Sequence, residues 1–207
     1  MKLETSYLIK SPKIWDKDVF HRILKEFLGL VSLYFFLNLF VSWKQTNSMP
    51  EASLLLEEEF KSGLISFPIY TLSKFPFGSL SSLVLIAIYL VWSTTNKKLC
   101  LWLLSEKSTE VKKILSIELF SFSVVLIYLN LLLMIGIFKY VAIDLNPFVL
   151  LLVLSIWILT ILGLIILNAY RYIEYSYHWL EQPKGRAFLV WLVPPLTIFF
   201  LVWGIGK

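Results

Sequence analysis

Five stretches of the chain are almost continuously apolar, and four of them contain no charged residue. They cover residues 27–43, 75–92, 115–138, 147–167 and 187–206. A helix that crosses the hydrocarbon core of a bilayer needs roughly 17 to 25 mostly apolar residues, and each stretch meets that length. The pattern therefore predicts an all-α, polytopic membrane protein in which residues 27–206 form a single bundle of five transmembrane helices.

The segments between these stretches refine the prediction. Residues 139–146 are so few that helices three and four must form a tight hairpin. Residues 50–60 (PEASLLLEEEF) predict a short acidic helix after the first span, whereas residues 99–104 (LCLWLL) are too short to cross a bilayer. The start of the second span is the least defined, because Lys74-Phe75-Pro76 interrupts the apolar run.

The first 26 residues form a cytoplasmic segment with a helical pattern of its own. Ser11-Pro12 favours a helix start, because serine caps helices and proline suits the first helical position. Apolar residues then recur at three- and four-residue spacing, at Trp15, Val19, Phe20, Ile23, Leu24 and Phe27. This spacing predicts an amphipathic helix in the membrane interface. A plain cytoplasmic extension of the first span explains the same residues.

The composition excludes most other classes of protein. Hydrophobic residues make up 58% of the chain and charged residues only 16%, which leaves too little polar surface for a water-soluble globule. A single cysteine, Cys100, excludes a disulfide scaffold. The first apolar run begins late and lacks a small-x-small cleavage pattern, so we expect the first helix to be retained rather than removed as a signal peptide.

The distribution of Lys and Arg predicts the orientation. Fourteen of the 19 lie in the N-terminal segment and in the loops that share its side, and five lie on the other side. The excess predicts a cytoplasmic N-terminus and an external C-terminus. The net charge of +5 then suits an anionic cytoplasmic leaflet. We expect no nucleic-acid partner, because no basic face with interleaved stacking residues is present.

Two polar residues inside the predicted spans are candidates for function. Glu118 is the only ionisable group, about one turn from the cytoplasmic end of the third span. It can snorkel or pair with Lys112 or Lys113, which predicts a structural role and a nearly silent Glu118→Gln substitution; a proton or cation relay is the alternative. Asn130 lies deeper, where an amide more often bonds across a helix interface than binds a substrate.

Pro194 and Pro195 stand in the middle of the fifth span. They remove two amide donors and predict a kink between residues 191 and 199. The freed carbonyls of residues 190 and 191 need partners in lipid, such as a neighbouring span, trapped water or the hydroxyl of Thr197. A kink that shapes packing is one interpretation, and a carbonyl-lined ion site is the other.

Glu174, His178 and Glu181 share one helix face if the fourth helix continues past Asn168. Two carboxylates and an imidazole can bind a metal, but di-iron helices need the Glu-x-x-His pair twice, and His21 has no such neighbour. We therefore predict a solvated juxtamembrane face without a metal or other cofactor. The chain also lacks a phosphate-binding glycine loop, a serine elbow and an HExxH motif, so we expect no enzyme.

The chain resembles bacterial members of the Yip1 family in its pattern of hydropathy and loop spacing over roughly residues 10–205, most visibly in its second half. The similar features are residues 102–116 (WLLSEKSTEVKKILS), Trp157, Gly163, residues 185–190 (GRAFLV) and Pro194. The chain departs from the family at residues 105–109, which replace a glycine-rich break, and at residues 121–123, which lack the usual proline. The resemblance implies five spans with a cytoplasmic N-terminus. Eukaryotic relatives act in membrane trafficking with small GTPases, whereas most bacterial ones have no assigned function.

The sequence favours a non-enzymatic integral membrane protein that acts through partners. We expect a scaffold or accessory subunit of a membrane assembly, such as a transport or export complex, that contacts the bilayer and docks on other membrane subunits by its cytoplasmic basic loops. Homo-oligomers are compatible with this expectation. A small transporter or channel is the alternative, with Glu118, Asn130 and the carbonyls freed by the two prolines as its polar path. A membrane enzyme that acts on lipid through the Glu174, His178 and Glu181 face ranks third.

Overall fold

The computed structural model describes residues 13–48, 50–104, 110–138 and 147–205, and all regular elements in those residues are helices. The helices are α1 (Lys17–Ser48), α2 (Pro50–Lys61), α3 (Phe67–Ser73), α4 (Phe77–Leu104), α5 (Val111–Phe138), α6 (Pro147–Leu180) and α7 (Lys184–Ile205). Helices α1, α4, α5, α6 and α7 are long and apolar enough to cross a membrane. The predicted all-α class and the five candidate spans are confirmed. The predicted hairpin at residues 139–146 lies outside the described residues.

Helices α4 and α6 extend far beyond the C-terminal ends of the apolar runs that predicted them. Helix α4 continues past residue 92 to Leu104, and α6 continues past residue 167 to Leu180. Residues 93–104 and Arg171, which the Lys and Arg count places between the spans, are therefore helical. The physical reason is that neither segment contains a glycine or proline to stop the helix, and polar side chains can remain on it where other helices cover them.

Helix α1 runs without a break across the predicted boundary at residue 26. It begins after Asp16, whose carboxylate accepts a hydrogen bond from the Val19 amide at 2.7 Å and so caps the helix. Its apolar face is buried in the protein, since Val19, Ile23 and Phe27 are at most 3% exposed. The described residues thus form one helix that is continuous with the first span. Ser11-Pro12 lies outside them.

The chain divides into two compact units. The first comprises the described residues of Met1–Gly29, Tyr89–Val125 and Ile143–Lys207. Its core is formed by apolar side chains of five helices that are at most 2% exposed, namely Ile23, Phe27, Leu101, Ile114, Ile117, Phe120, Ala187 and Val190, with Tyr172 among them. At its edge the Trp15 indole donates a hydrogen bond to the Ser116 hydroxyl at 3.0 Å. This unit contains most of the buried charged and polar groups.

The second unit comprises the described residues of Leu30–Ile88 and Leu126–Ala142. Small polar contacts join its spans: the Asn38 amide donates to the Ser82 hydroxyl at 3.0 Å, and the Ser79 hydroxyl donates to that of Ser42 at 3.3 Å. Helix α2 confirms the short acidic helix that the sequence predicted. The rings of Phe60 and Tyr70 stack at 4.3 Å and hold α3 against α2.

Candidate functional site

A buried ion pair joins α4 to α5 in the first unit. The Lys97 ammonium donates to one oxygen of the Glu118 carboxylate, and the Ser93 hydroxyl donates to the other oxygen at 2.7 Å. The two charged side chains are 4% and 3% exposed. Ser93 and Lys97 lie one turn apart on α4 and therefore share the face that meets Glu118.

Helix α6 covers the pair with Tyr172, which is fully buried. The Lys97 ammonium lies 4.1 Å from the centre of the Tyr172 ring, a cation–π contact. Three helices thus contribute to one site that we call the Lys97–Glu118 site: Ser93 and Lys97 from α4, Glu118 from α5 and Tyr172 from α6.

The position of the pair explains why the fold tolerates it. Lys97 and Glu118 each lie seven residues from the adjoining ends of α4 and α5, at Leu104 and Val111, or about 10 Å at 1.5 Å per residue. Isolated charges at that depth are costly, but each here has the other as its counter-ion. Both carboxylate oxygens of Glu118 accept a hydrogen bond, and the Lys97 ammonium lies on the Tyr172 ring, so each charge is compensated within the site.

Lys97 is the partner that sequence reasoning missed. The prediction that Glu118 pairs with Lys112 or Lys113 is wrong, because Lys97 occupies the carboxylate. The cause was the early end given to the second span, which placed Lys97 in a loop. A signal was present: Ser93 and Lys97 repeat at helical spacing directly after an apolar helix.

Several buried polar atoms of the first unit have no hydrogen-bond partner among the described residues. They are Thr94 Oγ1 on α4, Tyr172 OH and Ser176 Oγ on α6, and Gln182 Oε1 just beyond α6. The first unit therefore contains more buried hydrogen-bonding atoms than its own described residues satisfy.

Arg171 is a second charge that the sequence assigned to a loop. It lies on α6, and its guanidinium donates to the Phe120 carbonyl and the Ser123 hydroxyl of α5, both at 3.3 Å. The same group lies 4.7 Å from the centre of the Phe120 ring. Together with the Lys97–Glu118 site, this contact ties α5 to α6 through polar groups.

Asn130 lies on α5 in the second unit. Its side-chain amide donates to the Leu30 carbonyl of α1 at 3.2 Å, and the residue is 3% exposed. This is a hydrogen bond between two spans, the type of contact that the sequence favoured for it. A substrate role for Asn130 stays untested.

Glu174, His178 and Glu181 do not assemble as ligands. Glu174 accepts from His178 at 3.2 Å and from Lys184 at 3.1 Å, so a base from α7 joins the cluster. Glu181 has left α6, with a φ of 54° in the left-handed region that ends the helix. Among the described residues no group of three or more His, Cys, Asp or Glu side chains is placed to hold a metal.

Pro194 and Pro195 have different surroundings. Helix α7 continues through both of them, Pro194 is buried, and Pro195 is exposed. The Thr197 hydroxyl donates to the Pro194 carbonyl at 2.8 Å. The expectation that Thr197 covers a carbonyl freed at residue 190 or 191 is therefore wrong, because its bond goes to a carbonyl later in the helix.

This difference predicts unequal effects of the same substitution. Pro194→Leu puts a different shape into a packed site and should cost about 1–3 kcal/mol. Pro195→Leu adds an amide that can bond to the Trp191 carbonyl and leaves the packing unchanged, so we expect no loss of stability. Thermal unfolding of both variants in one detergent measures the difference. Equal losses would show that Pro194 is not packed as described.

The geometry permits charge-stabilised helix packing at the Lys97–Glu118 site, and it supplies a protonatable pair inside the spans. Comparisons of the chain with family models, with curated proteins and with solved structures give no match, so the resemblance to the Yip1 family stays a prediction.

Proposed function

We propose that this multi-pass membrane protein is a non-enzymatic scaffold or accessory subunit that binds other membrane proteins through α6. One observation carries the proposal: four successive apolar side chains of α6 are largely exposed. Ile156, Trp157, Ile158 and Leu159 are 47% to 67% exposed. Because successive helical residues point in directions about 100° apart, four in a row sample the whole circumference.

Trp157 needs a hydrogen-bond acceptor that the acyl chains of lipids do not supply. It stands near the middle of the apolar run, ten residues from both Pro147 and residue 167. Its indole N–H has no hydrogen-bond partner among the described residues. A donor left unpaired in the hydrocarbon region is costly, and tryptophan is more common at the membrane surfaces. A carbonyl or hydroxyl of a partner helix would satisfy it.

Gly163 supports the same interpretation. A side-chain carbon built at this glycine meets no atom within 4 Å, so the surface beside it is open. Thr160 lies one turn earlier on α6. Small residues at such positions let a second helix approach closely. In this proposal the Lys97–Glu118 site stabilises the bundle, and the orientation has the N-terminus in the cytoplasm, as the Lys and Arg distribution favours.

Photocrosslinking tests the proposal directly. A photoreactive residue at Ile158 should capture one defined membrane protein or a second copy of this chain. The same residue at Leu85 of α4, which is equally lipid-accessible at 64% exposure, should capture lipid only. Trp157→Phe should weaken the protein adduct without changing the amount of folded protein. Trp43→Phe, at the end of the first apolar run, is the matched control and should have no effect. Lipid adducts alone at Ile158 would contradict the proposal.

A small transporter or channel is the second candidate. The observation that favours it is the Lys97–Glu118 pair with unsatisfied hydroxyls beside it, since charged groups inside spans often mark ion or substrate paths. The purified protein alone should then carry flux in proteoliposomes, and a folded variant without the pair should lose that flux. The accessory-subunit proposal expects no flux in either case.

A further inference from the structure

The chain between the first and second spans forms a helical hairpin that cannot move far from the membrane. We call residues 50–76, which contain α2 and α3, the interspan hairpin. One residue separates α1 from α2, and three residues separate α3 from α4. Three connecting residues reach at most about 14 Å when extended, so the end of α3 at Ser73 stays within that distance of Phe77.

Helix α4 shows where the hydrocarbon region begins. Its uncharged run starts at its first residue, Phe77, shortly after Lys74, and continues past the middle of the helix. Phe77 therefore lies at the membrane surface on the side opposite the N-terminus, and the adjoining α3 lies at that surface too.

The surface of α3 is apolar around more than half of its circumference. Residues 62–73 contain no charged residue. Phe67, Ile69 and Leu72 are 66%, 54% and 51% exposed, and Leu64 just before the helix is 78% exposed. A protein partner would cover one face of so short a helix, whereas these side chains point in several directions. Fluid acyl chains can surround all of them.

The hydroxyl groups of Thr71 and Ser73 on α3 are already satisfied within the helix. Thr71 donates to the Phe67 carbonyl at 2.9 Å, and Ser73 donates to the Ile69 carbonyl at 2.8 Å. Internal satisfaction of this kind is required in hydrocarbon, where no water replaces a missing partner. In water the same hydroxyls would have abundant alternative partners.

Helix α2 supplies the polar side of the hairpin. The Phe60–Tyr70 stack joins the two helices, and the Lys74 ammonium lies 4.3 Å from the centre of the Tyr70 ring. Glu57 forms an exposed ion pair with Lys61 at 3.2 Å, beside exposed Glu58 and Glu59. The acidic residues of the hairpin thus lie on α2, which also exposes Leu54 and Leu55, whereas α3 is uncharged. An element that lies in a membrane surface is expected to combine charged and apolar residues in this way.

We propose that α3 is immersed in the membrane leaflet on the side opposite the N-terminus, with Phe67, Ile69 and Leu72 among the acyl chains. The acidic residues of α2 then lie in the headgroup region of the same leaflet. The occupant of this apolar surface is lipid. The proposal rests on the membrane placement of α1 and α4 and does not depend on the partner function proposed for α6.

Fluorescence quenching measures the depth of each helix. In a Cys100→Ser background, single cysteines at Ile69 and Leu72 carry an environment-sensitive dye, and the protein is placed in phosphatidylcholine vesicles. We expect blue-shifted emission, loss of most of the signal with lipids spin-labelled on the acyl chain, and little quenching by aqueous iodide. Glu58→Cys is the matched control on α2, where iodide should quench several-fold more strongly than the spin-labelled lipid.

Two outcomes would overturn the proposal. Strong iodide quenching at residues 69 and 72, equal to that at residue 58, would place α3 in water. Protection from both quenchers would mean that protein covers α3, either a second copy or another chain. Leu64→Cys provides a further position if one of the labelled variants fails to fold. The photocrosslinking result at Ile158 leaves each of these outcomes unchanged, so the two proposals fail separately.

Discussion

Replacing Lys97 by methionine should destabilise the folded protein by about 3–5 kcal/mol, because the substitution leaves the buried Glu118 carboxylate without its counter-ion. Lys98→Met is the matched control: Lys98 is the next residue on α4 and is exposed. We expect that control to stay within about 0.5 kcal/mol of the parent protein. Thermal unfolding in detergent, together with the amount of folded protein in the membrane, measures both variants. If Lys97→Met proves as mild as Lys98→Met, the ion pair is not formed as described.

The double variant distinguishes the destabilisation caused by leaving one buried charge unpaired from the net contribution of the ion pair to stability. Lys97→Met combined with Glu118→Met removes both charges and fills similar volume, so most of the stability should return. The structure also reverses the expectation for Glu118→Gln, which the sequence predicted to be nearly silent. Glutamine leaves the Lys97 ammonium buried without a counter-ion, so we now expect a cost close to that of Lys97→Met.

The same double variant bears on function. If the Lys97–Glu118 site only stabilises the bundle, the double variant keeps the Ile158 photocrosslink and whatever activity the parent shows. If the pair lies on a proton or ion path, a folded double variant loses flux. Stability and flux are measured on one protein sample, so a folding defect is distinguished from a loss of transport.

Ile23→Ala is expected to cost about 2–5 kcal/mol, because the side chain is fully buried and its removal leaves a cavity. Leu28→Ala removes a side chain of the same size from the same helix, but Leu28 is 54% exposed, so we expect little change. Unfolding of the two variants under one set of conditions gives the comparison. Small and equal effects of the two substitutions would support the interfacial helix that the amphipathic pattern of α1 predicts.

The hydrophobic pattern alone determined the class of this protein. Apolar runs of transmembrane length exist because the bilayer core demands them, and no other part of the fold has to be known to recognise them. The amphipathic face at Val19, Ile23 and Phe27 was equally visible, since helical spacing is a local property. The acidic helix α2 was also visible in the sequence, because a proline at its start and a run of charged residues are local signals that need no distant contact.

The ends of the spans and the partners of the polar groups were decided only by tertiary structure. The pattern could not show that α4 continues to Leu104, because a lysine after an apolar run usually marks the membrane surface. Lys97 stays on the helix since Glu118 and Tyr172, both far away in the chain, offset the cost of burying its charge. Likewise, the apolar face of α1 predicted a membrane-binding surface, whereas in the structure α5 packs beside it. The sequence could not distinguish the two, because the hydrophobic effect is non-directional and the same apolar spacing suits lipid and protein.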